Sequence, residues 1–194
     1  MNVDAVRIKL DLGADVITEI NDINQKSYLE LGVRDNKTYN KIKAKRKMGV
    51  DINGRAPFVG TTDEYFEQHS QDRYDIVFID ACHDKDFVIR DFNNSVAIAN
   101  EWVVLHDMIP PDESYTRQNR CSDSYKILYH ILKKTNFQTF TMNENMGLTF
   151  VKMPCTAIEL DEEDLNLPYD SYVEFMSDKK LYNRKEMSEI LNHV

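Results

Sequence analysis

The apolar positions of this chain fall into short runs that alternate with segments of helical spacing. Residues 75–79 are mostly apolar and β-prone, and residues 102–105 form a second such run. Both runs predict buried strands of one sheet. Further strands are predicted at 28–32, 48–51 and 57–60, and a closing hairpin at 137–141 and 147–152.

Helical spacing of apolar residues separates these strands. It predicts helices at 14–23, 38–45 and 87–100, one that follows an N-cap at Thr61, and one from Tyr125 onward. Strands and helices thus alternate, which predicts an α/β fold with a mostly parallel sheet and helices on both faces.

The chain is long enough for one domain with a real core, since 42% of its 194 residues are hydrophobic. We expect this domain to span residues 1–154, with 1–24 as a helical lead-in. Residues 155–194 are expected to form an extension that packs on the domain. Within it, short helices are predicted at 169–176 and 184–191.

Charge and cysteine content exclude several classes of function. A net charge of -9 and a pI near 5.0 argue against nucleic-acid and anionic-membrane partners. The basic cluster at 41–47 is interpreted as a solvated helix end. Three scattered cysteines favour neither a disulfide framework nor a thiolate zinc site, and they fit a reducing compartment. Without a signal segment or a membrane-length apolar run, a cytoplasmic location is expected.

Acid and imidazole side chains follow the two strongest strands directly. Asp80 and His83 come after residues 75–79, and His106 with Asp107 come after residues 102–105. In open α/β sheets, ligands bind at the carboxyl ends of the strands. We therefore expect these four side chains to form a site.

A second group of residues suggests a nucleoside cofactor. Glu30 and Gly32 end the first strand, and Thr38 lies near the start of the next helix. A pyrophosphate-binding loop would have more glycines than the single Gly32 found here. Asp51, about twenty residues further on, has the position of an acid that binds ribose hydroxyls. These features fit a cofactor that has a ribose but no pyrophosphate.

Five sequence blocks follow one another in a characteristic order. They are Tyr28-Leu-Glu-Leu-Gly-Val, Gly49-Val-Asp-Ile-Asn, Gly60-Thr-Thr-Asp-Glu-Tyr-Phe, Phe78-Ile-Asp-Ala-Cys-His and Val104-Leu-His-Asp-Met-Ile-Pro-Pro. Together these blocks resemble the class I S-adenosylmethionine-dependent methyltransferases, over roughly residues 25–152. The similarity is greatest to the compact group related to glycosyltransferase-associated, sugar and macrolide O-methyltransferases. It implies a Rossmann-like three-layer sandwich whose seven-stranded sheet has the order 3-2-1-4-5-7-6, with one antiparallel strand.

The resemblance also implies roles for individual residues. Glu30 and Gly32 would frame the methionine part of S-adenosylmethionine, and Asp51 would bind the ribose. Residues 61–63 would lie near the adenine. The complete cofactor set implied in this way is Glu30, Gly32, Val33, Thr38, Asp51, Ile52, Thr61, Thr62, Asp63 and Asp80.

Catalysis is expected to use Asp80, His83 and Asp107. The related metal-dependent sugar methyltransferases have an acid after the fourth strand, a histidine three residues later, and an acidic pair after the fifth strand. Here His106 replaces one acid of that pair. A divalent cation on Asp80 and Asp107, with His106 as a third ligand, would lower the pKa of a sugar hydroxyl while His83 takes its proton. Oxygen ligands suit Mg²⁺, whereas the histidine favours Mn²⁺ or a later metal.

Two other functions remain open at this stage. The same Asp/His cluster would serve a metal-dependent hydrolase or hydroxylase that does not use S-adenosylmethionine. The fold would also serve a non-catalytic partner of a glycosyltransferase. The expected acceptor is a small molecule or glycan, covered by the polar loop at 110–120, and the sequence is compatible with a homo-oligomer.

Overall fold

The computed structural model describes residues 12–144 and 146–193. One seven-stranded sheet has the order β3-β2-β1-β4-β5-β7-β6, in which β7 runs antiparallel to both of its neighbours and the other pairs are parallel. The predicted fold class and strand order are therefore confirmed. The strands are β1 (Ser27–Leu31), β2 (Arg46–Asp51), β3 (Phe58–Val59), β4 (Tyr74–Ile79), β5 (Ala99–Leu105), β6 (Thr139–Met142) and β7 (Leu148–Lys152).

Helices cover both faces of this sheet. Among the described residues, none of them is long and apolar enough to cross a membrane. They are α1 (Leu12–Ile17), α2 (Lys37–Lys41), α3 (Thr62–His69), α4 (Lys85–Ile98), α5 (Tyr125–Lys134), α6 (Glu162–Leu165), α7 (Tyr169–Met176) and α8 (Arg184–His193), with 3-10 turns at Ile23–Gln25 and Glu113–Thr116.

The central strands alternate their side chains between two hydrophobic cores. In β4, Val77 and Ile79 belong to one core, and Ile76 and Phe78 belong to the other. Successive residues of a strand point to opposite faces, so a strand buried on both sides must be apolar throughout. The first core includes residues of α3, α4, α5 and α7, and the second includes residues of α1 and α8.

The C-terminal segment reaches both cores. Tyr172 is part of the first core, whereas Met187 and Leu191 are part of the second. Between them, the Tyr182 backbone N–H donates to the Thr141 carbonyl of edge strand β6 at 2.9 Å. The segment thereby passes around the sheet edge and pairs with part of it, which removes exposed backbone groups that invite aggregation.

The basic cluster at 41–47 is mostly solvent-exposed, as interpreted, but only its first residues lie at a helix end. Helix α2 already ends at Lys41, because Ile42 takes an extended conformation and is fully buried. Strand β2 begins at Arg46, earlier than predicted. The Lys47 ammonium lies over the Tyr39 ring and donates to the Tyr39 carbonyl at 2.6 Å. The later members of the cluster therefore belong to the sheet, and they pack on neighbouring groups.

Other element boundaries differ from prediction by a few residues. The first helix ends at Ile17, and the 3-10 turn Ile23–Gln25 follows it. Strand β3 has only two residues, since it pairs only with the end of β2. Helix α7 has the bounds that the sequence predicted.

Candidate active site

A cavity of about 610 Å³ lies where the carboxyl ends of β1, β2 and β4 meet. Gly32, Asp51 and Asp80, one from each strand end, line it together with the start of α3 and one face of α4. Residues 118–120 of the loop predicted to cover the site also line it. The cavity therefore has the position at which open α/β sheets bind ligands.

Gly32 allows the ends of β1 and β4 to approach each other closely. Its φ is +90°, and a Cβ added there would lie 2.2 Å from the Asp80 carbonyl oxygen. The Gly32 N–H donates to the Val50 carbonyl at 2.8 Å, and the Asp80 N–H donates to the Leu31 carbonyl at 2.9 Å. A residue without a side chain is required where the backbone takes this φ and another strand is this close.

Asp51 ends β2 at the cavity wall. Its Oδ2 accepts from the Arg34 N–H at 2.7 Å, and its Oδ1 accepts from the Asn53 N–H at 2.9 Å. A carboxylate accepts about four hydrogen bonds. Asp51 is thus held in place by the backbone and keeps capacity for a ligand, and Ile52 beside it is 76% exposed.

The N-terminus of α3 forms the wall next to β3. Thr61 caps this helix, because its Oγ1 accepts from the Glu64 N–H at 3.2 Å while the Glu64 carboxylate accepts from the Thr61 N–H at 2.7 Å. This reciprocal pair is a capping box. Thr62 also lines the cavity, as does Asp63, which pairs with Arg90 at 2.7 Å.

Helix α4 contributes a wall that the sequence interpretation missed. Phe87, Arg90 and Asp91 line the cavity, and their spacing places them on one helical face. Asp91 is only 1% exposed, its Oδ1 has no hydrogen-bond partner in the described part of the chain, and burial raises its pKa to about 6. The sequence feature that could have revealed Asp91 is the position of this acid between the apolar residues Val88 and Phe92 of a predicted helix.

The four acid and imidazole side chains that follow β4 and β5 lie together. The His106 Nδ1 is 3.0 Å from Asp80 Oδ1 and 3.3 Å from Asp107 Oδ1. The His83 Nε2 is 3.3 Å from Asp80 Oδ1, and its Nδ1 is 3.1 Å from Asp107 Oδ2. The two strand ends thus bring two carboxylates and two imidazoles into one cluster.

Opposite charges dominate the protonation of this cluster. Burial alone would raise the pKa of Asp80, but His106 and His83 hold it well below its usual range. Burial would lower the pKa of His106, yet Asp80 and Asp107 raise it well above the ordinary value. The pKa of His83 is raised in the same way, against burial, by Asp80, Asp107 and the Arg120 carbonyl. The facing carboxylates therefore favour the protonated form of both imidazoles.

Three of these residues fit a divalent cation. Asp80, His106 and Asp107 each offer one ligand atom, and these atoms lie within 4.8 Å of one another. The Asp107 Oδ1 is buried, and beyond its 3.3 Å contact with the His106 Nδ1 it has no hydrogen-bond partner among the described residues. Two carboxylate oxygens and one imidazole nitrogen form a donor set that suits Mn²⁺ and similar ions.

Three residues of the predicted cofactor set do not line the cavity. Glu30 is 2% exposed and accepts a hydrogen bond from the Tyr28 hydroxyl at 2.6 Å, and burial raises its pKa to about 8. Val33 is buried beside Gly49, and Thr38 lies within α2. The other members line it directly: Gly32, Asp51, Ile52, Thr61, Thr62, Asp63 and Asp80.

The loop after β5 is attached to the N-terminus of α4. The Ser122 hydroxyl donates to Asp84 Oδ1 at 2.6 Å, and Asp123 Oδ1 accepts from the Lys85 N–H at 2.8 Å. The Arg120 carbonyl contacts the His83 Nδ1. These contacts hold the loop beside the Asp/His cluster.

Comparison with known proteins gives matches among solved structures alone, since no family model and no curated protein matches the chain. Cofactor-bound Rv0187 from MTB is 12% identical over 73% of this chain and 78% of its own, with a TM-score of 0.57. A putative caffeoyl-CoA O-methyltransferase from Staphylococcus aureus is 16% identical over 78% and 92%, with a TM-score of 0.57. The O-methyltransferase from Bacillus cereus in complex with SAH is 12% identical over 77% and 86%, with a TM-score of 0.52. The chain therefore has the fold of these three proteins, two of which are named as O-methyltransferases, and the predicted resemblance to class I S-adenosylmethionine-dependent methyltransferases is confirmed at the level of the fold.

Proposed function

We propose that this chain is an S-adenosylmethionine-dependent O-methyltransferase. The observation that carries the proposal is the cavity itself, which joins Asp51 at the end of β2 to Asp80 and His83 after β4. His106 and Asp107 do not line it, but they contact Asp80 and His83 directly. Solved structures of the same fold include complexes with SAM and with SAH. An acid that keeps free hydrogen-bonding capacity fits two ribose hydroxyls, and Gly32 lines the same cavity.

The chain's own groups would mainly bind the cofactor and the acceptor and orient them toward each other. Asp51 would hold the ribose, and residues 61–63 with the α4 wall would enclose the base. The bound cofactor would supply an activated methyl group on a positively charged sulfur. Methyl transfer needs an acceptor oxygen aligned with that methyl and relieved of its proton, so positioning supplies much of the rate.

The Asp/His cluster is the proposed site of proton removal. His83 would take the hydroxyl proton in its neutral form, through a ring nitrogen that no longer contacts a carboxylate. A cation bound to Asp80 and Asp107 would favour that neutral form, because it offsets the negative charge that raises the His83 pKa. Asp80, Asp107 and His106 would hold Mg²⁺ or Mn²⁺, which would lower the pKa of the hydroxyl and favour a vicinal diol. A sugar, glycan or related small molecule supplies hydroxyls of this kind.

Titration calorimetry with S-adenosylhomocysteine tests the cofactor assignment. Asp51→Ala should weaken binding by roughly 10- to 100-fold, since a hydrogen bond to a charged group contributes about 1.5–3 kcal/mol. Asp35→Ala is the matched control, because Asp35 is an exposed acid near Asp51 that does not line the cavity. Equal affinities for the wild type and Asp51→Ala would contradict the proposal.

The same titration, together with a methylation assay, separates the other candidate functions. A wild type that binds Mn²⁺ but no S-adenosylhomocysteine would favour the hydrolase or hydroxylase that uses the same cluster. Cofactor binding without methylation of any sugar or small-molecule hydroxyl would favour a non-catalytic partner of a glycosyltransferase.

A further inference from the structure

The turn that presents Asp107 has an unfavourable backbone conformation. Asp107 directly follows His106 at the end of β5, has a φ of +62° and is 4% exposed. A left-handed non-glycine residue persists only where its surroundings hold it. The direction of the Asp107 carboxylate therefore depends on what fixes this turn.

Hydrogen bonds fix both peptide planes that follow Asp107. In the first plane, the Asp107 carbonyl accepts from the Ser124 hydroxyl at 2.7 Å, a donor that it shares with the Cys121 carbonyl, and the Met108 N–H donates to the Gly147 carbonyl at 3.3 Å. In the second plane, the Met108 carbonyl accepts from the Tyr172 hydroxyl at 2.8 Å. The Ile109 N–H completes the set by donating to the Met146 carbonyl at 2.7 Å.

Tyr172 makes its contact from the C-terminal segment, 64 residues further along the chain. It lies on α7 and is 1% exposed, so its hydroxyl has no access to bulk water. One helical turn earlier, the Tyr169 hydroxyl donates to the Pro110 carbonyl at 2.8 Å. One face of α7 thus holds two carbonyls of the segment that follows Asp107.

We infer that Tyr172 is a positioning residue for Asp107, so that the C-terminal segment forms part of the cation site. The inference rests on the proposed function, because it concerns the metal ligands of the same site. Groups behind the ligands fix ligand direction, and changing them typically reduces metal affinity 10- to 100-fold. Tyr172 acts through the adjacent peptide plane, which favours the lower end of this range.

Mn²⁺ binding, measured by electron paramagnetic resonance of the free ion, tests the inference directly. Tyr172→Phe should weaken Mn²⁺ binding about tenfold and leave S-adenosylhomocysteine affinity unchanged within about twofold, because Asp51 and Gly32 are untouched. Tyr125→Phe is the matched control. Its ring packs against Tyr172 at 4.9 Å, but its buried hydroxyl donates to the Leu167 carbonyl, which lies outside the Asp107 turn.

Both variants lose one buried hydroxyl, so melting temperature should fall similarly in the two. A merely structural role for Tyr172 would then give equal Mn²⁺ affinities, and this result would overturn the inference. If Tyr172→Phe does not fold, Ser124→Ala decides, since Ser124 bonds the Asp107 carbonyl itself. Weakened Mn²⁺ binding by Ser124→Ala would support the inference that hydrogen bonds to this turn position Asp107 for the cation. Unchanged Mn²⁺ binding would refute the inference.

The wild type distinguishes this inference from the proposed function. If it binds S-adenosylhomocysteine but no Mn²⁺, the inference fails while the cofactor assignment stands. If the wild type binds neither S-adenosylhomocysteine nor Mn²⁺, the inference and the cofactor assignment both fail.

Discussion

Gly32→Ala should disturb the site more than any loss of a surface contact. The added Cβ would lie 2.2 Å from the Asp80 carbonyl oxygen and 2.6 Å from the Ala81 Cα. These are backbone atoms, which cannot move aside as a flexible side chain would. The positive φ costs about 1 kcal/mol for a non-glycine residue, and overpacking costs about 1–3 kcal/mol. We therefore expect a loss of roughly 2–4 kcal/mol in the free energy of unfolding.

Relief of this overlap must move the end of β1 away from the end of β4, and with it the wall of the cavity. S-adenosylhomocysteine affinity should consequently fall at least about tenfold. Urea denaturation and calorimetry measure the two effects. Gly54→Ala is the control, because a Cβ there meets no atom within 4 Å, and we expect its stability to be unchanged or slightly raised. If the two variants match in stability and in ligand affinity, the close approach at Gly32 does not shape the site.

Three further substitutions test separate parts of the account. Asp91 has a folded-state pKa of about 6, above the unfolded value, so its ionisation destabilises the fold by up to about 3 kcal/mol as pH rises through 6. Urea denaturation should therefore find Asp91→Asn more stable than wild type at pH 8 but not at pH 4. Equal differences in stability at both pH values would contradict this. Thr61→Ala should lower the free energy of unfolding by about 1 kcal/mol, because it removes the capping box with Glu64. Thr61→Ser should keep the wild-type stability, and thermal melts of both variants measure the difference. Gly147→Ala would bring a Cβ within 2.5 Å of the Ile109 N at a φ of +87°, so calorimetry should show weaker Mn²⁺ binding with little change in S-adenosylhomocysteine affinity.

The sheet could be predicted because its central strands are buried on both faces. Residues 75–79 and 102–105 are apolar runs with polar residues directly after them, and strands of this kind place those residues at one edge. That reasoning correctly brought Asp80 and His83 together with His106 and Asp107. The strand order was predicted from the resemblance of the five sequence blocks to the methyltransferases. The periodicity of apolar residues predicts strands and helices, but it does not predict the order of the strands in the sheet.

Helix boundaries were less predictable, because tertiary packing decided them. The polar stretch after Lys41 continues a helix-compatible pattern, but burial of Ile42 ends α2 there. The two-residue length of β3 depends on its pairing with the end of β2, and no local signal reports this.

Several site residues could not have been found by local reasoning. Asp91 occupies a helical face whose neighbours are apolar, and only the folded arrangement shows that this face lines the cavity. Tyr172 reaches the Met108 carbonyl across 64 residues of sequence. Its role depends on how the C-terminal segment packs, and an amphipathic pattern predicts the helix but not what its hydroxyl contacts.

The most direct test of the central claim is an electron-density map of crystals soaked with S-adenosylhomocysteine and Mn²⁺. The account predicts ribose density at Asp51, the sulfur directed toward Asp80, and an ion between Asp80, His106 and Asp107. A nucleoside bound elsewhere, or a fully soaked crystal with an empty cavity beside Gly32, would contradict it.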